Sequence, residues 1–150
     1  MRLRESMPEL TDATASLNGK VAKEQLVGDK PTLIHFWSIS CHLCKEAMQE
    51  VNEFRNRYKN ELNVVAIHMP LSDEDLDIDE IQSVAAEYNM TQPILIDNEL
   101  KLTDRFENEY VPAYYVFDKD GQLRYFQIGG DSMEMLKKRI NRVIDEMMRN

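Results

Sequence analysis

The sequence predicts an α/β fold: a mixed central sheet with helices on both faces. Three observations carry it. Thr32 to Trp37 and Asn63 to Met69 are short, near-continuous apolar runs, as expected of strands buried on both sides. Each is followed by a segment with helical spacing of apolar residues. Near the C-terminus, Asp118-Lys119-Asp120-Gly121 joins two β-rich runs and predicts an antiparallel hairpin. A parallel β-α-β part followed by a hairpin requires a mixed sheet.

Residues 1–30 are weakly patterned and read as an N-terminal extension. Asn18-Gly19 is a tight-turn signal, and short strands on either side of it are expected to pair as a small hairpin. After Thr32 to Trp37, a helix is expected from Cys41 to about Tyr58, with Ala47, Met48, Val51 and Phe54 on its buried face. Asn63 to Met69 is the next strand. Residues 72–92 read as an insertion, an acidic stretch leading into a helix from Asp79 to Tyr88. Pro93 to Ile96 is a short strand, and Leu100 to Tyr110 contains a short helix. Ala113 to Phe117 and Gln122 to Ile128 are the hairpin strands. Gly129-Gly130 ends that pattern. A last helix carries Leu136, Ile140, Val143, Ile144 and Met147, with Asp131 or Ser132 as its cap and Glu134 completing a box with Asp131. No linker or internal repeat divides the 150 residues, so one domain is expected over 1–150.

The formal charge is −9, from 18 basic and 27 acidic side chains, with no basic patch. That balance argues against nucleic acid and anionic membranes as partners. No apolar segment approaches the roughly 18 residues of a membrane span. Met1 to Pro8 lacks the apolar stretch of a signal peptide, so a cytoplasmic location is expected.

Both cysteines of the chain lie in Cys41-His42-Leu43-Cys44, directly after the first confident strand. In a reducing compartment, two cysteines are better explained as catalytic or metal-binding than as a structural staple. At a strand-to-helix junction, C-x-x-C reads as a redox dithiol. On a first helical turn, residues i and i+3 are neighbours and a disulfide can bridge them. Cys41 then lies at the positive end of the helix dipole, which favours the nucleophilic thiolate. Cys44, one turn in, resolves the mixed disulfide.

Phe36-Trp37-Ser38-Ile39-Ser40-Cys41-His42-Leu43-Cys44-Lys45 resembles the Phe-Trp-x-x-x-Cys-x-x-Cys-Lys segment of the thioredoxin superfamily. Tyr110-Val111-Pro112-Ala113-Tyr114-Tyr115-Val116-Phe117 is similar to that family's cis-proline strand, and Ile128-Gly129-Gly130 to the glycine before its last helix. The extra length in 1–30 and 72–92 resembles the extended TlpA/ResA-like, redoxin-type branch. The resemblance implies a thioredoxin-like three-layer sandwich and a thiol–disulfide oxidoreductase with no dissociable cofactor and no metal. It implies a cis Pro112, with Trp37, His42, Val111 and Pro112 on the substrate side. Partners would be protein or small-molecule disulfides and a recycling reductase, with the protein a monomer.

The chain departs from the pattern in several places. His35 stands where thioredoxins bury a carboxylate, and two readings stay open: a proton relay or a satisfied core histidine. Ser40 replaces a second tryptophan, and Gln49 replaces a proline that kinks the helix. A catalytic glutamate of the extended branch would fall at Ala47, so Glu46, turned by about 100°, reads as surface. Ser72 to Glu80 carries alternating acids, but a calcium loop beginning at Asp73 would need glycine at Ile78 and glutamate at Val84. The stretch reads instead as a solvated insert with acids at a helix N-terminus. Two other function classes are kept. Cys41, His42, Cys44 and His68 offer soft ligands for copper handling, although a closed zinc site needs four. Thiol peroxidase chemistry is the other, although no Thr or Arg stands next to Cys41.

Overall fold

The computed structural model describes residues 1–130 and 132–149. Within them, one six-stranded sheet carries five α-helices. In chain order these are β1 (Ala15–Leu17), α1 (Lys23–Leu26), β2 (Thr32–Trp37), α2 (His42–Arg57), β3 (Asn63–His68), α3 (Ile78–Glu87), β4 (Ile94–Ile96), α4 (Lys101–Phe106), β5 (Ala113–Phe117), β6 (Leu123–Ile128) and α5 (Met133–Met148). A single 3-10 turn, Asp73–Leu76, precedes α3.

Strand order is β1-β4-β3-β2-β5-β6. β2, β3 and β4 run parallel, whereas β1 pairs antiparallel with β4, β5 with β2 and β6 with β5. All six residues of β2 are buried. Leu33 and Trp37 join the core shared with α2, α3 and α5, and Ile34 and Phe36 join the opposite one. This alternation follows from the two-residue period of a strand. On α2, Ala47, Met48, Val51 and Phe54 are buried, as their spacing predicts. Leu136, Ile140, Val143 and Ile144 of α5 dock on the same face. Each such aliphatic side chain contributes about 1.5–3 kcal/mol on burial.

The second face depends on the N-terminal extension. Met7 and Leu10 pack with Leu26 of α1 and with Leu102 and Phe106 of α4. Backbone bonds from Arg4 N to Leu123 O (2.7 Å) and from Leu123 N to Glu5 O (2.9 Å) lay the extension along β6.

The expected N-terminal hairpin does not form. Asn18 and Gly19 do turn, both with positive φ. However, β1 pairs with β4 in the register Ala15↔Ile96, and the chain beyond the turn enters α1. Asn18 Nδ2 donates to the carbonyls of Met90 and Gln92, tying the turn to the segment ahead of β4. β4 is buried throughout, and β1 covers the edge that β4 would otherwise expose. At the other end, Ser132 stands at the start of α5 without a side-chain cap bond, and the Asp131 part of the expected cap lies outside the described residues.

Candidate functional site

β2 delivers the chain to the site. After Trp37, Ser38-Ile39-Ser40 form a short loop, and Cys41 is the N-cap of α2. Cys41 and Cys44 are joined by a disulfide, with their Cα atoms 5.3 Å apart. Cys44 N donates to Cys41 Sγ at 3.1 Å. No acidic residue occupies the first turn of α2, so no charge of that turn itself cancels the dipole field at Cys41. Cys41 retains 9% of its surface and Cys44 2%, so an incoming sulfur reaches Cys41 first.

His42 and Leu43 point outward between the cysteines. His42 Nε2 lies 2.8 Å from Glu46 Oε1, an i,i+4 pair on the outer face of α2. Glu46 is thus on the surface, as its helical position predicts. The Val111–Pro112 peptide bond is cis, as the motif implies. Pro112 is buried, and Val111, half-buried, packs against the core that holds Cys41, Cys44 and Trp37. Gly130 abuts the dithiol turn: a Cβ there would stand 3.5 Å from Leu43 O. Trp37 is 1% exposed, its ring edge-on to His68 with centroids 5.1 Å apart. The resemblance places it among the substrate contacts; it is instead buried in the core beneath the site. Exposed Leu43 and Tyr110 add apolar surface to the two site loops, and sequence reasoning passed over both.

His35 is buried and accepts a hydrogen bond at Nε2 from the Gln92 amide (3.0 Å). Gln92 Oε1 in turn accepts from Arg55 Nη1 (2.7 Å). Burial, with a smaller push from the Arg55 guanidinium, lowers the imidazole to about 3. His35 is therefore neutral and satisfied, which favours the core reading over the relay.

A second polar cluster lies directly behind the loop. Ile39 N donates to His68 Nε2 at 3.1 Å. Burial lowers His68 to about 4 in spite of the opposing pull of nearby Asp75. Asp75, only 2% exposed, accepts at Oδ2 from Ser38 Oγ (3.0 Å), Ser40 Oγ (2.7 Å) and Leu71 N (2.9 Å). Burial pushes its carboxyl up, but the bonds from Leu71, Ser40 and Ser38, with His68 nearby, outweigh it and the net shift is down. The insertion is thus not wholly solvated. Its neighbours Asp73, Glu74 and Asp77 are exposed, whereas Asp75 turns in because the site loop offers it donors. No periodicity signals this, since 35 residues separate Ser40 from Asp75.

Among the described residues, no three His, Cys, Asp or Glu side chains are grouped to hold a metal ion. His68, a candidate ligand by sequence, has its Nε2 occupied by Ile39 N–H.

A dithiol at the N-terminus of a helix leaving a central parallel strand, in a chain that also carries a cis-proline strand, defines a thioredoxin-like redox protein. The AhpC/TSA family model matches residues 4–126, and the chain belongs to that family. The thiol-disulfide oxidoreductase YkuV of Bacillus subtilis is 66% identical over 146 residues, covering 97% of this chain and 99% of that protein. The thiol-disulfide oxidoreductase ResA of Bacillus cereus is 24% identical, covering 85% and 71%. The solution structure of a thioredoxin-like protein in the oxidised form superposes with a TM-score of 0.91 at 66% identity, over 97% of this chain and 99% of that one. Site and relatives agree: the chain is a thiol–disulfide oxidoreductase with a thioredoxin-like fold.

Proposed function

We propose that Cys41 is the nucleophile and Cys44 the resolving thiol of a dithiol that reduces disulfides, chiefly in proteins. The observation that carries the reading is the asymmetry of the pair: Cys41 caps α2 and keeps 9% of its surface, and Cys44 lies deeper at 2%. The Cys41 thiolate attacks one sulfur of the substrate disulfide. A mixed disulfide forms and the substrate's other sulfur leaves as a thiolate. Cys44 then attacks Cys41, expelling the second substrate thiol and leaving the enzyme disulfide, so two electrons pass to the substrate. The Cys44 N–H that bonds Cys41 Sγ stabilises the thiolate in the reduced form. His42, Val111 and Pro112 line the approach of the substrate chain.

A recycling reductase restores the dithiol, and the protein acts as a monomer in the cytoplasm. Cysteine usage supports that compartment: both cysteines serve the redox pair, leaving none to staple the fold. The roles are tested by trapping. Cys44→Ser should accumulate a mixed disulfide with a substrate protein, and Cys41→Ser should form none and lose turnover. Turnover surviving in Cys41→Ser contradicts the mechanism. The same assay with hydrogen peroxide in place of a disulfide separates this reading from a thiol peroxidase.

A further inference from the structure

We propose that Asp75 is a positioning residue for the dithiol: a buried anion, supplied by the insertion, that clamps the loop ahead of Cys41 and biases the pair toward its disulfide. The inference rests on the Cys41–Cys44 reading above.

Three consecutive residues immediately before Cys41 are each held from behind. Ser38 and Ser40 donate their hydroxyls to the same oxygen, Oδ2 of Asp75, and Ile39 donates its N–H to His68. The loop also closes on itself through Cys41 N to Ser38 O at 3.1 Å. Asp75 in turn is fixed by Leu71 N and by its place in the 3-10 turn Asp73–Leu76. The insertion is thus joined through one carboxylate oxygen to the residue adjacent to the nucleophile.

A carboxylate receiving three hydrogen bonds remains ionised, so the clamp is also a fixed negative charge. Its Oδ2 is 2.7 Å from Ser40 Oγ, one residue from Cys41. The other titratable group facing this carboxylate is the imidazole of His68 on β3, whereas the His42–Glu46 pair lies on the outer face of α2. An anion bonded to the residue next to Cys41 disfavours the thiolate, opposing the field of the α2 N-terminus. Destabilising the thiolate destabilises the reduced dithiol, which makes the protein a stronger reductant. Clamp and charge have separate effects: the clamp holds the loop where Cys41 caps the helix, and the negative charge offsets part of the helix field and lowers the potential.

The test is the reduction potential of the pair in glutathione buffers, first for the unaltered protein, then for variants. Asp75→Asn should raise the potential by about 15–30 mV, a three- to tenfold shift toward the dithiol. Asp75→Glu, which restores the charge, should recover at least half of that shift. A potential equal to or below that of the unaltered protein in Asp75→Asn overturns the proposal, even if thermal stability falls, because a purely structural clamp moves stability alone. Should Asp75→Asn not fold, Ser40→Ala at an exposed position replaces it, with a two- to threefold slower exchange expected. An unchanged rate and potential in Ser40→Ala overturns the proposal. Failure of the underlying redox reading would be recognised separately, as the absence of a reversible transition in the unaltered protein.

Discussion

His35 and His68 are buried on adjacent strands, both neutral, yet their wiring differs. His35 on β2 looks toward Gln92 and, through it, Arg55, in a chain of bonds that leads away from the dithiol loop. His68 on β3 accepts from Ile39, two residues before Cys41. The position that resemblance singles out thus holds an imidazole bonded to Gln92 rather than to the dithiol loop. The group that touches the site loop comes from the neighbouring strand. In a sheet of this kind, proximity in sequence to the cysteines is a poor guide to which imidazole serves them, because the loop after β2 bends back over β3.

The comparison is broken most directly by removing each ring. His68→Ala leaves the buried Ile39 N–H unpaired, at a cost of about 1–3 kcal/mol, and opens a cavity besides. It should also release the loop, and a small misplacement of a reacting group slows a reaction strongly, so exchange is expected to fall about tenfold. Urea unfolding and disulfide-exchange kinetics measure both effects. His35→Leu orphans the Gln92 amide and should cost about 1–2 kcal/mol while leaving the exchange rate within twofold. A rate falling tenfold in His35→Leu, with His68→Ala unaffected, would reverse the assignment and revive His35 as a relay.

Acid unfolding sharpens the same comparison. Both folded-state values, about 3 for His35 and about 4 for His68, lie below the ordinary histidine value near 6.5. The unfolded chain therefore binds more protons across that window. The stability linked to both rings is fully present above about pH 6.5 and is lost as the pH falls toward 4 for His68 and toward 3 for His35. Between pH 7 and 5 each ring should remove about 2 kcal/mol. His35→Leu should flatten its share of that loss in chemical denaturation at several pH values. A loss of full size in the variant would show that other groups dominate.

The smallest effect is expected at Arg55. Arg55→Met removes the bond to Gln92 Oε1 and a nearby positive charge from His35. Stability should change by about 0.5–1.5 kcal/mol, and the His35 titration followed by NMR should move slightly upward. A downward movement would mean that Arg55 does not act on His35 as a like charge.

Local signals carried much of this molecule. The β2 and α2 boundaries follow from apolar period and from the cysteine spacing. The Tyr110-Val111-Pro112 motif marked the cis bond. These features depend on residues close in sequence. Other features depend on distant pairs. Asn18-Gly19 turns as its chemistry requires, but the partner of β1 is chosen by the exposed edge of β4, about 80 residues on. Asp75 looks like its exposed neighbours, and only folding brings Ser38 and Ser40 to it. Trp37 is a separate case: the motif places it among the substrate contacts, whereas strand alternation sends its ring into the core.

The most direct measurement is a redox titration of the intact protein, followed by the fluorescence of Trp37, which shares a core with both cysteines. A single reversible two-electron transition is expected, with a midpoint at about −270 mV or below, and none in Cys41→Ser. A midpoint at about −180 to −120 mV would contradict the assignment as a net reductant. The absence of any reversible transition would contradict the dithiol itself.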